Sequence, residues 1–388
     1  MAAEILSPRF LLAHNAAGAN LVSGVATTLA SAEGAQLGLF EVDEAALPGV
    51  AAQIPPRVLC LGNLFRDQLD RYGELEVVAE RWRETVGGLS LQSRLVVNGD
   101  DPLVAQLGQS RKETLVYGID DPRHAGPALQ HAADSKYCVR CGTPYEYAAA
   151  YVGHLGDYRC PRCGQARPAL DAAARAIELQ GLEAVEFDLC FGEDVNRVRL
   201  RVPGIHNVYN ALGAATAARA MGVPSDEIAR GLARTPPAFG RFERVTIGDK
   251  TLVVMLVKNP AGANETLRTL LAAGGTSIAV VALNDEIADG QDVSWIWDVD
   301  FEAFAAQLSR LVASGQRAAE LALRFAYGGL PRESIEVVEN LETALDRGLE
   351  LTAPRGELVF LPTYTAMLAL QGIVAGRGYA KPYWERVR

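Results

Sequence analysis

Arg94-Leu95-Val96-Val97-Asn98-Gly99-Asp100-Asp101-Pro102 reads as a short apolar strand that ends in a polar turn, with a short helical stretch after it. The same cycle recurs on both sides. Upstream, residues 20–33 read as a helix, and Gln36-Leu37-Gly38-Leu39-Phe40-Glu41-Val42-Asp43-Glu44 as a buried strand ending in acids. Val58-Leu59-Cys60-Leu61-Gly62 is a further strand, before a polar loop over 63–73 and a helix over 75–86. Downstream, Thr114-Leu115-Val116-Tyr117 is again a strand. Strands alternating with helices predict a parallel sheet covered by helices.

Two Cys-x-x-Cys pairs, Cys138-Val139-Arg140-Cys141 and Cys160-Pro161-Arg162-Cys163, interrupt the alternation with eighteen residues between them. Each pair forms a knuckle whose two thiolates address one ion, and two knuckles complete the four-sulfur shell that structural Zn²⁺ prefers. Gly142, Pro144, Gly153 and Gly156 suit the intervening hairpin. Two disulfides, or a thioredoxin-like redox pair, are the competing readings, and no secretory context favours disulfides. A closed four-thiolate shell leaves no position for water, so the expected metal is structural. Cys60 and Cys190 lie in apolar runs and are expected to be buried thiols.

Beyond this zinc ribbon, residues 184–190 and 196–202 alternate polar with apolar and predict antiparallel strands. Residues 207–221 and 225–233 read as helices, the second capped by Ser225. The paired prolines in Thr235-Pro236-Pro237-Ala238-Phe239-Gly240 predict a domain boundary. A second α/β unit begins there, with strands over 251–256, 277–283, 310–313 and 358–361, and helices over 263–273, 316–326, 340–352 and 364–376. The expected domains are thus 1–234, with the ribbon inserted at about 136–166, and 235–388.

A formal charge of −10 without a basic stripe argues against nucleic-acid binding. The first residues lack the pattern of a signal peptide, and no apolar run reaches the roughly 18 residues needed to cross a bilayer, so a soluble, cytoplasmic protein is expected. In such sheets ligands gather beyond the carboxyl ends of strands. The polar residues there are Glu41, Asp43 and Glu44, then Asn63, Asp67 and Asp70, then Lys258 and Asn259, and finally Asn284 and Asp285. Carboxylates gathered in one cleft suit Mg²⁺ with phosphates, since Mg²⁺ takes one or two carboxylates and completes its octahedron with water and phosphate oxygens. Singly, each acid is equally a helix cap or a solvated turn.

Four stretches carry a resemblance: Asn63-Leu64-Phe65-Arg66-Asp67-Gln68-Leu69-Asp70-Arg71-Tyr72-Gly73; Pro203-Gly204-Ile205-His206-Asn207-Val208-Tyr209-Asn210; Phe239-Gly240-Arg241-Phe242-Glu243; and Lys258-Asn259-Pro260-Ala261-Gly262. Together they resemble the Mur ligase superfamily, ATP-dependent enzymes that join an amine to a carboxylate through an acyl phosphate. The ribbon and the run from Asn284 to Asp300 narrow this to the Mur-ligase-like subunits of lipid II isoglutaminyl synthases. The resemblance implies an α/β fold with a Mur-ligase-type central domain, truncated at its amino terminus, and a Rossmann-like carboxyl-terminal domain. It also implies amidation of the D-glutamate α-carboxylate of lipid II to D-isoglutamine at the inner face of the membrane, for peptidoglycan synthesis. Ammonia would come from a class I glutamine amidotransferase-like glutaminase subunit of GatD type.

On that resemblance Glu41 is the Mg²⁺-linked glutamate. Asn63, His206, Asn207 and Asn210 face the nucleotide, and Arg241, Lys258 and Asn259 reach ATP from the second domain. An aspartate of the carboxyl-terminal domain would orient the partner's catalytic histidine. The run Trp295-Ile296-Trp297-Asp298-Val299-Asp300 suits that role, with Asp298 first and Asp300 and Asp292 as alternates. One departure stands out: the chain has no Gly-Lys-Thr phosphate loop, and His14-Asn15-Ala16-Ala17-Gly18-Ala19-Asn20 resembles the segment downstream of such a loop. The expectation is a natural start upstream of Met1 rather than lost ATP turnover. The competing functions are a Mur-type or folylpolyglutamate-type amino-acid ligase, and a silent scaffold that activates a glutaminase.

Overall fold

A computed structural model describes the chain except at residues 16–18, 67–74, 127–128, 130–132, 237–240 and 382–388, and describes Arg241 by its backbone alone. The strands of the first half are β1 (Leu12–His14), β2 (Leu37–Leu39), β3 (Val58–Leu61), β4 (Arg94–Asn98), β5 (Thr114–Ile119), β6 (Glu146–Val152), β7 (Leu155–Arg159), β8 (Ala172–Gln180), β9 (Ala184–Phe191) and β10 (Asp194–Leu200). One six-stranded sheet runs β10-β9-β8-β5-β4-β3. Its β3, β4, β5 and β8 are parallel, whereas β9 and β10 fold back antiparallel.

The apolar run of β4 explains its central place. Leu95, Val96 and Val97 are all fully buried, with Leu95 and Val97 packing against Trp82, Val78 and Val104, and Val96 on the opposite face beside Val208 and Leu212. The first face is covered by the helix Leu75–Gly88, whose buried Leu75, Val78, Ala79, Trp82 and Val86 recur at helical spacing. The second is covered by the alanine-rich helix Ile205–Ala220.

The second half contributes β11 (Arg241–Ile247), β12 (Lys250–Met255), β13 (Ile278–Ala282), β14 (Arg310–Ser314), β15 (Ile335–Val337) and β16 (Glu357–Pro362) in the order β11-β12-β16-β13-β14-β15. Strands β12 to β16 run parallel to one another, β11 pairs antiparallel with β12, and alternate residues of β13 enter separate cores on the two faces. The helices Pro260–Ala272, Ala318–Tyr327, Leu341–Leu351 and Tyr364–Gly376 match the expected ones. No helix among the described residues is long and apolar enough to cross a membrane.

Several expectations change. The strand expected over 36–44 shrinks to three residues that pair with β1, and among the described residues neither joins the main sheet. Its acidic end is a turn, because the Asp43 carboxylate accepts the Ala45 N–H and Asp43 N–H bonds Asn20 O. Ser225 opens its helix rather than capping it: Pro224 is the N-cap, and Asp226 and Glu227 supply the first-turn negative charge. Cys190 is buried as expected, whereas Cys60 is exposed. Strand β3 is an edge strand, and there Leu59 and Leu61 point to the core beneath the helix Leu75–Gly88, while Cys60 turns to the opposite face, its Sγ 3.6 Å from Gly213 O of the helix Ile205–Ala220. The alanine-rich β8, the edge strand β11 and the short β15 have no counterpart in the sequence reading.

Candidate functional site

The two cysteine knuckles have one geometry. In the first, Gly142 N–H bonds Cys138 O and Cys138 N–H bonds Thr143 O. In the second, Gly164 N–H bonds Cys160 O and Cys160 N–H bonds Gln165 O. Gly142 and Gly164 both have φ near +70°, a left-handed conformation that glycine adopts without a Cβ clash. The four Sγ atoms lie within 4.8 Å of one another, and the Cys138–Cys163 and Cys141–Cys160 sulfurs are 3.5 Å apart. That is too long for a disulfide, about 2.05 Å, and it suits thiolates around one ion at about 2.3 Å from each. The cluster can hold a tetrahedral metal.

The hairpin β6–β7 carries the ribbon onto the carboxyl end of β4. Gly156 N–H donates to Asp100 O at 2.9 Å. His154, fully buried at the hairpin tip, places Nε2 3.3 Å from Asp101 Oδ2 and its ring 4.8 Å from that of Phe65. Asp101 caps the helix Pro102–Gly108 and accepts Leu64 N–H at 2.8 Å, and so fixes the loop after β3. In that loop Asn63 accepts from Asn98 at 2.6 Å. Arg66 pairs with Asp134 and reaches across to Asp298 at 3.6 Å.

Asp100 is the hub. Its fully buried carboxylate accepts from Tyr209 Oη at 2.6 Å, from Ile119 N–H at 2.9 Å and from Arg167 Nη1 at 3.2 Å. Tyr209 ties the hub to the amino end of the helix Ile205–Ala220, where Asn210 Nδ2 donates to Asn207 Oδ1 at 3.1 Å and Asn207 Nδ2 lies 3.0 Å from His206 Nε2. Three of the expected nucleotide-facing residues, His206, Asn207 and Asn210, are therefore linked to one another, and their neighbour Tyr209 bonds Asp100.

Burial pushes the Asp100 carboxyl up to about 6, against the opposing pull of Arg167 and Tyr209. A carboxyl raised on folding holds its proton more tightly in the native state. Stability is then greatest below the unfolded value of about 3.9 and falls as pH rises to about 6, by at most about 3 kcal/mol. Urea unfolding between pH 4 and pH 7 is expected to show this decline, and Asp100→Asn to flatten it. An unchanged slope in the variant would assign the pH dependence elsewhere.

In the second half, Lys258, Asn259, Asp292 and Asp298 line a cleft of about 120 Å³ with Arg66, Asp289 and Trp295. Asn259 Oδ1 accepts Gly262 N–H at 2.8 Å, so it caps the helix Pro260–Ala272. Asp292 accepts Ser294 N–H at 2.8 Å, and bonding to Ser294 holds its carboxyl below the usual range. Asp289, buried, accepts from the Thr365 amide and hydroxyl and anchors the loop ahead of Asp292. Asp300 does not line the cleft; its N–H bonds Asn264 Oδ1 as the helix Phe301–Ala305 begins. Asn284 bonds Thr365 and Gln316, and Asp285 pairs with Arg317.

Glu41 is exposed beyond β2, with its backbone held by the Asn15 side chain at 2.7 and 3.0 Å. Asp67, Asp70 and the Arg241 side chain lie outside the described residues. The sequence reading passed over Asn98, Asp100, Asp101, Tyr209 and Arg66. The signal for the first three was present, since polar residues directly after the central strand obey the rule applied to β3 and β12.

Residues 256–367 match the family model described as MurT ligase C-terminal. Over 374 residues the chain is 32% identical to the lipid II isoglutaminyl synthase (glutamine-hydrolyzing) subunit MurT of Streptococcus pneumoniae, covering 94% of this chain and 80% of that protein. The chain belongs to the MurT family. The MurT subunit of Staphylococcus aureus strain COL is 30% identical over 359 residues, which cover 91% of this chain and 78% of that protein. Among solved structures, a pseudomurein peptide ligase type C from Methanothermus fervidus superposes with a TM-score of 0.74 at 21% identity, over all of this chain and 75% of that one. This chain of the MurT family therefore has the α/β fold of the Mur ligases.

Proposed function

We infer that this MurT-family chain is the ATP-dependent ligase subunit of a lipid II isoglutaminyl synthase. One observation carries the reading: Asn63, the Asn98–Asp101 turn and Tyr209 are joined by hydrogen bonds, with His206, Asn207 and Asn210 beside Tyr209 on its helix, and Arg66, in the loop that Asp101 fixes, reaches Asp298 in the Lys258–Asp298 cleft. Its domains are 1–234, with the ribbon at about 136–166, and a Rossmann-like 235–388. The γ-phosphoryl group of ATP passes to the D-glutamate α-carboxylate. Ammonia then attacks the acyl carbon, phosphate leaves, and one proton is lost to give the amide.

Lys258 and Arg241 offset charge on the transferring phosphoryl group, and the amino end of the helix Ile205–Ala220 presents His206, Asn207 and Asn210 to the nucleotide. Glu41 would hold Mg²⁺, which neutralises phosphate charge when bound. Cys138, Cys141, Cys160 and Cys163 would hold a structural Zn²⁺. A GatD-type glutaminase subunit supplies ammonia, with Asp298 completing its triad, and the reaction takes place at the inner face of the membrane. Asp298 serves better than Asp300 because its carboxylate lines an open cleft.

The test is a mass spectrum of a lipid II stem-peptide acceptor after incubation with the chain, Mg-ATP and ammonium, without a partner. Conversion of the glutamate carboxyl to amide is expected. Amidation that stays absent with both ammonium and a glutaminase subunit supplied would refute the ligase assignment.

A further inference from the structure

A second cleft, of about 540 Å³, lies between the far edge of the first sheet and β11, and is lined by Leu182, Glu183, Arg199, Arg201, Phe242 and Arg244, among others. None of the residues assigned above to nucleotide, metal or partner lines it. Three guanidiniums face one carboxylate in a protein of formal charge −10.

The charge arises from strand alternation. Arg197, Arg199 and Arg201 project from one face of β10 and its continuation. Arg197 is matched by Glu178, Glu186 and Asp188. Arg199 is left with Glu186 at 3.7 Å, a partner it shares. Arg201 has no carboxylate within ion-pair distance among the described residues, and is exposed. From the other sheet Arg244 enters, paired with Glu357. Arg199 and Arg201 thus carry more positive charge than the one shared carboxylate offsets, a balance that a bound anion would complete.

The floor is apolar and locally strained. Phe242 has φ of +63° at the point where the β11–β12 register slips between Arg241 and Glu243. A bulge re-aims a side chain, and a bulky residue at positive φ persists where its surroundings enforce it. Here the bulge sends the ring into the cleft, and Phe242 and Leu182 rest together on the core beneath.

We propose that this arginine cleft binds a diphosphate or phosphate ester carried on an apolar or aromatic body, bridging the two sheets. Arginine forks match phosphate oxygens in pairs, the volume falls within the roughly 300–1,000 Å³ of small-molecule sites, and Phe242 with Leu182 gives the body a surface to lie on. None of its lining residues is assigned to the ligase reaction; a lipid-linked diphosphate here would be that reaction's substrate held by its far end, and in that arm the proposal rests on the proposed function. A lipid-linked diphosphate and a soluble nucleoside diphosphate share this chemistry.

Calorimetric titration of the full chain with inorganic pyrophosphate tests the site. Arg199→Gln combined with Arg201→Gln is expected to weaken binding by about tenfold or more, and Arg332→Gln, an exposed arginine elsewhere, by less than about twofold. Both altered side chains are exposed, so the fold is unaffected. Competition separates the sources: displacement of pyrophosphate by phosphatidylcholine vesicles carrying a polyprenyl diphosphate assigns the lipid-linked one, and displacement by a nucleoside diphosphate the soluble one. Absent pyrophosphate binding, equal affinity in the doubly altered chain, or displacement by neither competitor overturns the proposal.

Discussion

Asp298→Asn is expected to reduce glutamine-dependent amidation by a MurT–glutaminase complex by about a thousandfold or more, while amidation from free ammonium falls far less. An asparagine in that position would hold the partner's histidine in the wrong tautomer and offer no charge to its imidazolium, even with shape preserved. The carboxylate is suited to the task because it is nearly half exposed, at 46%, and stands beside the cleft that also holds Lys258. Arg66 at 3.6 Å pairs with it and limits its orientation without covering it. Asp292→Asn and Asp300→Asn serve as comparisons, since one carboxylate is occupied by Ser294 and the other lies outside the cleft. Glutaminase activity that survives Asp298→Asn and collapses in either comparison would move the role to that residue.

The second large effect concerns the ribbon. Cys160→Ser is expected to lower zinc content to well below one ion per chain and to reduce the melting temperature by at least about 5 °C. Cys160 is fully buried, and its backbone closes the second knuckle, so loss of its thiolate undoes both the ion's shell and the fold that holds it. The damage should spread along the hairpin to the hub. Amide exchange at Gly156, which donates to Asp100, and at Gly126, which donates to Ala150, should accelerate in the variant and on chelation. Cys190→Ser, in a strand remote from the cluster, is expected to leave zinc content unchanged. Full zinc occupancy in Cys160→Ser would remove Cys160 from the ion's ligands, and unchanged exchange despite lost zinc would mean that the knuckles are held by packing alone.

What the sequence made legible is what short-range patterns encode. The alternation around Leu95–Val97, the doubled Cys-x-x-Cys and the helical spacing from Leu75 to Val86 each lie within one window, and each element formed where expected. Strand β8 was missed because Ala172, Ala173 and Ala174 favour a helix when read alone. They are a strand because small, fully or nearly buried side chains let the layers above and below approach the sheet closely. The faces of β3 were hidden because Val58-Leu59-Cys60-Leu61 is apolar throughout, so its one exposed member carries no mark.

The candidate site was legible in part for the same reason. Lys258, Asn259, His206 and Asn210 come after strands or open helices, positions that can be read along the chain. The hub was not legible, because Asp100 acquires its character from Ile119, Arg167 and Tyr209, which lie 19, 67 and 109 residues away. Asn259 shows that the two readings of a polar residue can hold together: its carbonyl oxygen caps a helix while the residue still lines the cleft.

The hairpin's seat on Asp100 and Asp101 bears on how such an insertion is inherited. A ribbon spliced between two strands is ordinarily a cassette, gained or lost as a block. Here its tip gives His154 to one buried carboxylate, and the return strand leads directly to Arg167, which serves the other. Arg268, from the helix Pro260–Ala272, also donates to Tyr151 O in the hairpin. Excision would take the His154 ring from Asp101 and the Gly156 N–H from Asp100 O, leaving polar groups of the interior without these partners. The ribbon is thus tied into the sheet it interrupts, and its exchange for an uninterrupted connection is expected to succeed only where Asp101 is replaced at the same time.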